Sequence, residues 1–270
     1  MSDGTGPSEW VFIRGLVRES AHWDEFPQTF ARAVPGARVR AIDLPGNGRH
    51  WRLDSPLSIR GMMEFARAEL GTEAGVPRYL LALSLGAMVA LEWIARHPQD
   101  IAGAVLINTS LSSLSPLHRR LSWRAWPEVV GALLTTDIAD RERAILRLTS
   151  RFAADDPSRV QARVDAYREH PIRRANVFRQ LWAAARYRPP ADAPAIPVLL
   201  LGSRGDRLVS PECSEAIARY WGLPLNMHPA AGHDLPLDDP AWTIEAVLAW
   251  LATLCEGRSA VCPAESRRET

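Results

Sequence analysis

The 270-residue sequence predicts an α/β fold, in which a mostly parallel sheet carries helices on its faces. Short apolar runs alternate with helical patterns through the first 110 residues, as in strand-helix-strand units. The run at 101–110 has no charged residue, which is typical of a strand buried on both faces. The same alternation returns at 196, after a long helical stretch, so one sheet is expected to contain residues from both ends of the chain.

The individual elements follow from apolar runs that end at turn residues. Strands are predicted at 9–16, 37–48, 78–83, 101–110 and 196–203, and a further strand within 223–233. Of these, 9–16 runs into a loop and 37–48 ends in a Pro-Gly turn. Helices are predicted from Leu85 to the residue before Pro98, at 211–220 and at 242–255.

The order of these elements predicts one core domain with an insertion. Residues 1–110 and 195–256 form the predicted core, which is doubly wound. Residues 111–194 differ in texture, because they are helical in period, rich in Trp and Arg, and end in a proline-rich connection. The tail at 257–270 is polar and without periodicity, and we expect it to be disordered.

Charge and motif content exclude several classes of function. The 32 basic and 31 acidic residues nearly cancel, so no overall field directs the chain to nucleic acid or to an anionic membrane. The sequence has no dinucleotide-binding glycine motif, no P-loop, no HExxH and no paired cysteines, so it offers no basis for a bound nucleotide or metal. Ser84, Gly86 and Glu92 interrupt the apolar run at 79–95, which argues against a membrane span. The polar N-terminal residues lack the apolar core of a signal peptide, and we expect a cytoplasmic protein.

Ser84 is the candidate nucleophile. The sequence from Ala82 to Gly86, ALSLG, differs from the G-x-S-x-G pattern only in its first residue, and it lies between a predicted strand and a predicted helix. Small residues two places before and after the serine let the strand and the helix pack closely. The alternative is a structural hydroxyl that binds a nearby backbone carbonyl.

A serine nucleophile needs a base, and the base needs an acid that orients it. Asp206 follows the predicted strand at 196–203, and His233 follows the last predicted strand. Both therefore lie at carboxyl ends of strands, where open α/β sheets bind ligands. His97 and His170 compete for the base, but each precedes a proline at a helix end and is interpreted as structural.

Together these motifs make the chain resemble a serine hydrolase of the α/β-hydrolase superfamily. Arg14-Gly15-Leu16, with Trp23 after it, is similar to the early loop of that family, and Asp43 to Gly48 is similar to its D-x-P-G-x-G turn. The elbow, the acid and the base follow in the family's order. The resemblance covers about residues 9–110 and 196–255.

The resemblance implies a role for each site residue. Ser84, Asp206 and His233 would form a catalytic triad, and the backbone N–H groups of Leu16 and Leu85 would form the oxyanion hole. No cofactor and no metal are implied. The expected activity is that of a carboxylic ester hydrolase acting through an acyl-enzyme.

Two residues depart from the family pattern. Ala82 replaces the first glycine of the elbow, which is a small change. Arg14 replaces a histidine before the loop glycine, and its long cation is expected either to pair with a carboxylate or to contact an anionic substrate.

In this family the insertion forms a helical lid, and here residues 111–190 contain fifteen Arg against eight Asp or Glu. Solvated helix faces explain most of these arginines; the alternative is recognition of an anionic substrate or an acyl carrier protein. Trp123, Trp126 and Trp182 are expected to pack the lid onto the core or to line the acyl site, which makes Trp123 and Trp126 candidate substrate contacts.

The length and the lid resemble two kinds of enzyme, those that cleave carrier-bound acyl methyl esters and the triad-bearing lyases of menaquinone synthesis. A third alternative is a ligand-binding protein without turnover on the same scaffold, which Arg14 keeps open. In every case the expected partner is a small molecule, and a small acyl ester if the protein is an esterase.

Overall fold

The computed structural model describes residues 6–71, 75–153 and 155–261. Its centre is one sheet of six strands, all parallel, in the spatial order β2-β1-β3-β4-β5-β6. The strands are β1 (Ser8–Ile13), β2 (Ala37–Ile42), β3 (Arg78–Leu83), β4 (Gly103–Ile107), β5 (Val198–Ser203) and β6 (Leu225–His228). The predicted mostly parallel α/β fold is confirmed.

The four inner strands owe their pairing to nearly continuous apolar sequence. Every residue of β4 and β5 is buried, and β3 is buried except at Tyr79. Most residues of the edge strands β2 and β6 are half-buried instead, and each of these strands has one exposed and one buried residue. Because both faces of a parallel sheet are covered by helices, uncharged runs are favoured at its centre. β4 ends at Ile107, three residues before the predicted end, since Asn108 turns the backbone with a φ of 46°.

Helices cover both faces of the sheet, which is therefore doubly wound as predicted. The core helices are α1 (Phe26–Ala33), α2 (Ile59–Leu70), α3 (Leu85–Arg96), α9 (Glu212–Trp221), α10 (Leu235–Asp238) and α11 (Pro240–Val261). One apolar cluster joins α2, α3 and α9 to the sheet, and the other joins α1 and α11 to the opposite face. The last helix extends beyond its predicted end at Cys255, and residues 262–270 of the predicted tail lie outside the described residues.

Among the described residues, five α-helices lie between β4 and β5, within the insertion predicted at 111–194. They are α4 (Leu117–Arg120), α5 (Trp126–Leu134), α6 (Ile138–Thr149), α7 (Pro157–Glu169) and α8 (Arg174–Arg186). Whether they act as a lid stays a prediction. None of the helices within the described ranges is both long and apolar enough to cross a bilayer.

Charged side chains join the insertion to the core. Arg163 of α7 is buried and donates hydrogen bonds of 2.7 Å to both carboxylate oxygens of Asp24. Arg18 of the core donates in turn to Glu142 of α6, at 2.8 Å. Paired hydrogen bonds between a guanidinium and a carboxylate fix orientation as well as distance. Ion pairs thus link the insertion to the core, and the one formed by Arg163 has a defined geometry.

Arg163→Met is expected to lower the free energy of unfolding by about 1–3 kcal/mol, because it removes two hydrogen bonds from a partly buried carboxylate. Urea denaturation of the variant measures the loss. Arg168→Met on the same helix is the matched control, since Arg168 pairs with Asp165 in solvent. Exposed pairs of this kind contribute about 0–1 kcal/mol. Equal losses in the two variants would contradict the assignment of Arg163 as a link between insertion and core.

Candidate active site

Ser84 occupies a strained turn between β3 and α3. Its φ of 57° and ψ of −115° are sparsely populated for a residue with a side chain, and such a conformation costs about 1–3 kcal/mol. Two contacts hold it there: the Ser84 N–H donates to the Ile107 carbonyl, and the Thr109 hydroxyl donates to the Ser84 carbonyl, both at 2.9 Å. The residues at the end of β4 thus hold the backbone of Ser84 at the carboxyl end of β3, as in a nucleophile elbow.

The residues on either side of Ser84 are small because other backbone passes close by. A Cβ built on Gly86 would lie 2.6 Å from the Arg14 carbonyl oxygen and would also overlap the Ile13 carbonyl. Ala82 is fully buried in the cluster that joins β3 to α3. The first glycine of the family's elbow is therefore replaced by a residue whose one methyl group is accommodated in the core.

Asp206 and His233 form the hydrogen-bonded pair that the sequence order predicts. His233 Nδ1 lies 2.7 Å from Asp206 Oδ2, and both side chains are buried. The other carboxylate oxygen, Oδ1, accepts the N–H groups of Leu208 and Val209 at 2.8 and 2.9 Å. Because a carboxylate accepts hydrogen bonds, Nδ1 of His233 is the donor in this contact, and Nε2 is left for another partner.

The two residues that follow β4 bring Ser84 and His233 to the same region. The Asn108 side chain donates to the carbonyl of His233 at 2.8 Å and to the hydroxyl of Ser203 at 2.9 Å. The next residue, Thr109, binds the Ser84 carbonyl. The end of β4 thus holds His233 through Asn108 and Ser84 through Thr109.

The loop after β1 passes directly against Ser84. A Cβ built on Gly15 would lie 3.2 Å from the Ser84 Cβ, so the loop contacts Ser84 at Gly15, and Leu16 comes directly after this contact. Val17 has a φ of 46°, which is unusual for a β-branched residue, and its N–H donates to Gln180 Oε1 of α8 at 2.8 Å. Leu85 is the first residue of α3, so its N–H has no acceptor within the helix.

Arg14 is paired with a carboxylate, the first of the two alternatives that the sequence left open. Its guanidinium binds both oxygens of Asp234, one at 3.0 Å, and lies 4.5 Å from the ring of Trp23. Burial alone would raise the pKa of Asp234, but Arg14, with Arg163 and His233, holds that pKa below its usual range. Both terminal nitrogens of Arg14 bind Asp234, and its candidate role as a substrate contact stays a prediction.

Comparison with known proteins agrees with this geometry. The family model described as "Alpha/beta hydrolase family" matches residues 10–246, most of the chain. The chain belongs to the alpha/beta hydrolase family. The sequence-based identification of the family and of its fold is therefore confirmed.

Three relatives illustrate the similarity of this alpha/beta hydrolase to known members. The chain is 27% identical to the pimeloyl-[acyl-carrier protein] methyl ester esterase of Methylococcus capsulatus, over 81% of this chain and 84% of the relative. It superposes on BpoC from Mycobacterium tuberculosis with a TM-score of 0.72 at 24% identity, covering 93% and 94% of the two chains. The enol-lactonase from Burkholderia xenovorans gives a TM-score of 0.73 at 17% identity, covering 93% and 94%. The two superpositions show the shared fold, and the relative named an esterase supports the predicted enzyme class, a hydrolase that acts on ester bonds.

The tryptophans of the insertion do not pack as the sequence predicted. Trp123, Trp126 and Trp182 are 66%, 47% and 54% exposed, so they are not buried between the insertion and the core, and the role of Trp123 and Trp126 as substrate contacts stays a prediction. All four exposed side chains, Trp123, Trp126, Val130 and Leu134, are spaced as on one face of a helix. The expectation failed because an aromatic residue signals burial without specifying which surface it covers.

Many arginines of the insertion are exposed, as expected of solvated helix faces, and some of its arginines also pair with acidic residues of the core. Arg163 binds Asp24 and Arg173 binds Asp54, the latter at 2.8 Å, so both contact acidic residues of the core. Others, such as Arg168, do lie on solvated faces. The positive excess of the insertion is thus partly balanced by the core of this hydrolase.

Sequence reasoning missed the residues that support the site. Gln180 is fully buried and connects Val17 to Asn47, donating to the Asn47 side chain at 2.9 Å. Asn108 could have been noticed as a polar residue that directly follows an uncharged strand. Gln180 carried no such signal, since it occupies a helix rich in polar residues.

Within the described residues, no group of three or more His, Cys, Asp or Glu side chains is arranged to hold a metal ion.

His22 lies buried beside the turn that contains Leu16. Its Nδ1 accepts the N–H of Glu19 at 2.9 Å. Burial lowers the pKa of His22 well below 6.5, and the cations of Arg18, Arg163 and Arg14 lower it further. The imidazole is therefore neutral in the folded hydrolase.

Gly86→Ala is expected to destabilise the hydrolase by about 1–3 kcal/mol, because the new methyl group overlaps backbone carbonyls that cannot move independently. The midpoint of urea denaturation measures the effect. Gly131→Ala in α5 is the control, since a Cβ there meets no atom within 4 Å. Replacing a helical glycine by alanine at an open position is expected to stabilise by about 0.5–1 kcal/mol. Opposite signs for the two substitutions are the expected result, and a tolerated Gly86→Ala would refute the close approach.

The neutral His22 makes stability depend on pH. The unfolded chain binds a proton at this residue below about pH 6.5 whereas the folded protein does not, so the free energy of unfolding falls as the pH drops through that value. His22→Gln keeps an acceptor for the Glu19 N–H and removes the titration. We expect a shallower decrease in stability between about pH 6.5 and 5 in urea denaturation series. The exposed His118→Gln should leave the slope unchanged, and an unchanged slope in His22→Gln would contradict the assignment.

Proposed function

We propose that this alpha/beta hydrolase is a serine hydrolase that cleaves a carboxylic ester through an acyl-enzyme on Ser84. The observation that carries the proposal is the buried 2.7 Å contact of His233 with Asp206, at the sheet edge where Ser84 occupies its strained turn. A hydroxyl, an imidazole and a carboxylate in this chain order suit acyl transfer. The contact between Ser84 and His233 is part of the proposal.

In the first half of the reaction, His233 Nε2 accepts the Ser84 proton while Ser84 Oγ attacks the ester carbonyl carbon. The carbonyl π electrons move to oxygen, and the N–H groups of Leu16 and Leu85 stabilise the resulting oxyanion. When this intermediate collapses, the carbon–oxygen bond to the leaving alcohol breaks. The imidazolium of His233 protonates that oxygen, so the alcohol leaves neutral and the acyl group stays on Ser84.

In the second half, water replaces the alcohol. His233 removes a proton from the water, whose oxygen attacks the acyl-enzyme carbonyl. The second oxyanion collapses, the proton returns to Ser84 Oγ, and the carboxylic acid is released. Three hydrogen bonds from the protein hold the carboxylate of Asp206 in place throughout. Its role is to hold the tautomer of His233 and to stabilise the imidazolium.

For the substrate, we propose a small acyl ester, with a carrier-linked acyl methyl ester as the finer candidate. Support for the carrier comes from the relative that is named an esterase of pimeloyl-[acyl-carrier protein] methyl ester. Arg163 and Arg173 add no support for recognition of an anionic substrate or carrier, since they bind Asp24 and Asp54 of the same chain. The exposed side chains of Trp123 and Trp126 are available only at the surface of the insertion.

The two rival functions lose part of their basis. The ligand-binding alternative rested on Arg14, a cation in place of the family's histidine, and that cation forms an ion pair with Asp234. The arginine-rich insertion fitted both the menaquinone-type lyase and a hydrolase of carrier-bound esters, and two of those arginines, Arg163 and Arg173, are engaged within the chain. An ester hydrolase needs neither feature.

The test is covalent labelling with a fluorophosphonate probe, read by intact mass and peptide mapping. The wild-type protein is expected to gain one adduct, on Ser84, because only an activated serine displaces fluoride at a useful rate. Ser84→Ala should gain none. Asp206→Asn should react with the probe and turn over p-nitrophenyl acetate far more slowly than the wild type. The expected loss is about 10⁴-fold, as for replacement of the aspartate that fixes the histidine tautomer in other triads.

Labelling at another residue, or none at all, would overturn the assignment of Ser84. Labelling at Ser84 without turnover of any p-nitrophenyl ester from acetate to octanoate would instead favour the lyase. A methyl ester carried on acyl carrier protein, compared with the same ester on free pantetheine, tests the finer proposal. Equal kcat/KM for the two would remove the carrier from it.

A further inference from the structure

The ion pair between Arg14 and Asp234 joins the two loops that carry the reacting groups. Arg14 precedes Leu16 by two residues, and Asp234 directly follows His233. We propose that Arg14 and Asp234 are positioning residues, which hold the Leu16 N–H and the His233 imidazole in register for catalysis. This inference rests on the proposed serine hydrolase function and deepens it.

The pair has the geometry that a positioning role needs. Two guanidinium nitrogens contact two carboxylate oxygens, so the contact fixes the angle between the loops as well as their distance. The two side chains are 4% and 6% exposed, which keeps water from replacing either partner. The ring of Trp23 lies against the guanidinium and limits its movement.

On one side, the pair is anchored to the nucleophile helix. The backbone carbonyl of Arg14 passes so close to Gly86 that no Cβ fits between them. The following residue, Gly15, lies against the Ser84 Cβ. A change in the position of Arg14 is therefore transmitted over two residues to the proposed oxyanion hole.

On the other side, the pair is anchored to the insertion. The Asp234 N–H donates to the Thr149 carbonyl at the end of α6, at 2.7 Å. Asp238, four residues later, accepts the N–H of Gly232 at 2.6 Å and that of Arg151 at 2.9 Å. The loop that carries His233 is thus held by α6 at its backbone and by Arg14 at the Asp234 side chain.

An ion pair at this location is better explained by orientation than by stability. Taking two charges out of water costs several kcal/mol per ion, and a buried pair often stabilises a fold no more than apolar residues of similar volume. Two opposed charges with parallel hydrogen bonds, however, permit one relative arrangement of the loops. An apolar replacement of both partners should therefore preserve folding better than catalysis.

The experiment is a double-mutant cycle with Arg14→Met, Asp234→Leu and the combined variant, plus Arg14→Lys. For each, kcat and KM on p-nitrophenyl acetate, the rate of fluorophosphonate labelling and the urea midpoint are measured. A displacement of about 1 Å in the reacting groups costs about 100-fold in rate. We expect each single variant to lose about 10- to 100-fold in kcat with KM within about twofold, since the loss is in transition-state stabilisation.

The combined variant should lose no more kcat than either single variant, because the interaction is already absent after one substitution. It should also unfold at a higher urea concentration than either single variant, since no uncompensated charge is left buried. Arg14→Lys, which keeps the charge but not the paired geometry, should recover part of the kcat.

The matched control is the buried pair between Arg78 and Glu9, which lies at the opposite, amino ends of β3 and β1 with a contact of 2.7 Å. Arg78→Met should lower the urea midpoint and leave kcat unchanged. If it lowers kcat as much as Arg14→Met, the effect is general destabilisation and the positioning role is overturned.

Additive losses of kcat in the cycle, or wild-type labelling rates in all Arg14 and Asp234 variants, would overturn the positioning role as well, while the proposed function stands. A wild-type protein that is not labelled at Ser84 would refute the proposed function itself, and the positioning role with it.

Discussion

The parallel pairing of β3, β4 and β5 is the constraint on which the candidate site depends. Because these neighbours run in one direction, the residues that follow them emerge at the same edge of the sheet. Ser84 follows β3, Asn108 follows β4 and Asp206 follows β5. The helices cover the faces and leave this edge for polar groups. A change in the order or direction of any of the three strands would separate the serine from the acid and the histidine.

Polar contacts then refine what the sheet brings together. Positive φ angles occur at Ser84, Val17 and Asn108 of the site, and those of Ser84 and Val17 are unfavourable on their own. Each is held by hydrogen bonds to a part of the chain that is fixed independently: Ser84 by the end of β4, and Val17 by Gln180 of α8. Strain of this kind persists only where surrounding contacts determine the conformation. The core and the insertion are both required for it.

Much of the fold and of the proposed triad could be predicted from local patterns. Uncharged runs marked the inner strands, and the order of Ser84, Asp206 and His233 along the chain marked the candidate groups. The partner of Arg14 could not be predicted, since Asp234 is 220 residues away in the sequence and no periodicity connects the two. The buried Gln180 was missed for the same reason. The tryptophans of the insertion were misplaced because hydrophobicity indicates how much surface a residue prefers to bury, whereas the packing of whole helices decides whether it does.

The contact of Gln180 with Val17 has a consequence for attempts to recombine this scaffold with its relatives. Insertions in a fold of this kind look exchangeable, since they enter and leave the sheet between two neighbouring strands, β4 and β5. Here one helix of the insertion supplies the acceptor for a strained backbone N–H in the first loop of the core. A chimera that exchanged only the segment between β4 and β5 would separate Val17 from the side chain that fixes its conformation. The loop and the insertion would therefore have to be exchanged together, although about 160 residues separate Val17 from Gln180 in the sequence.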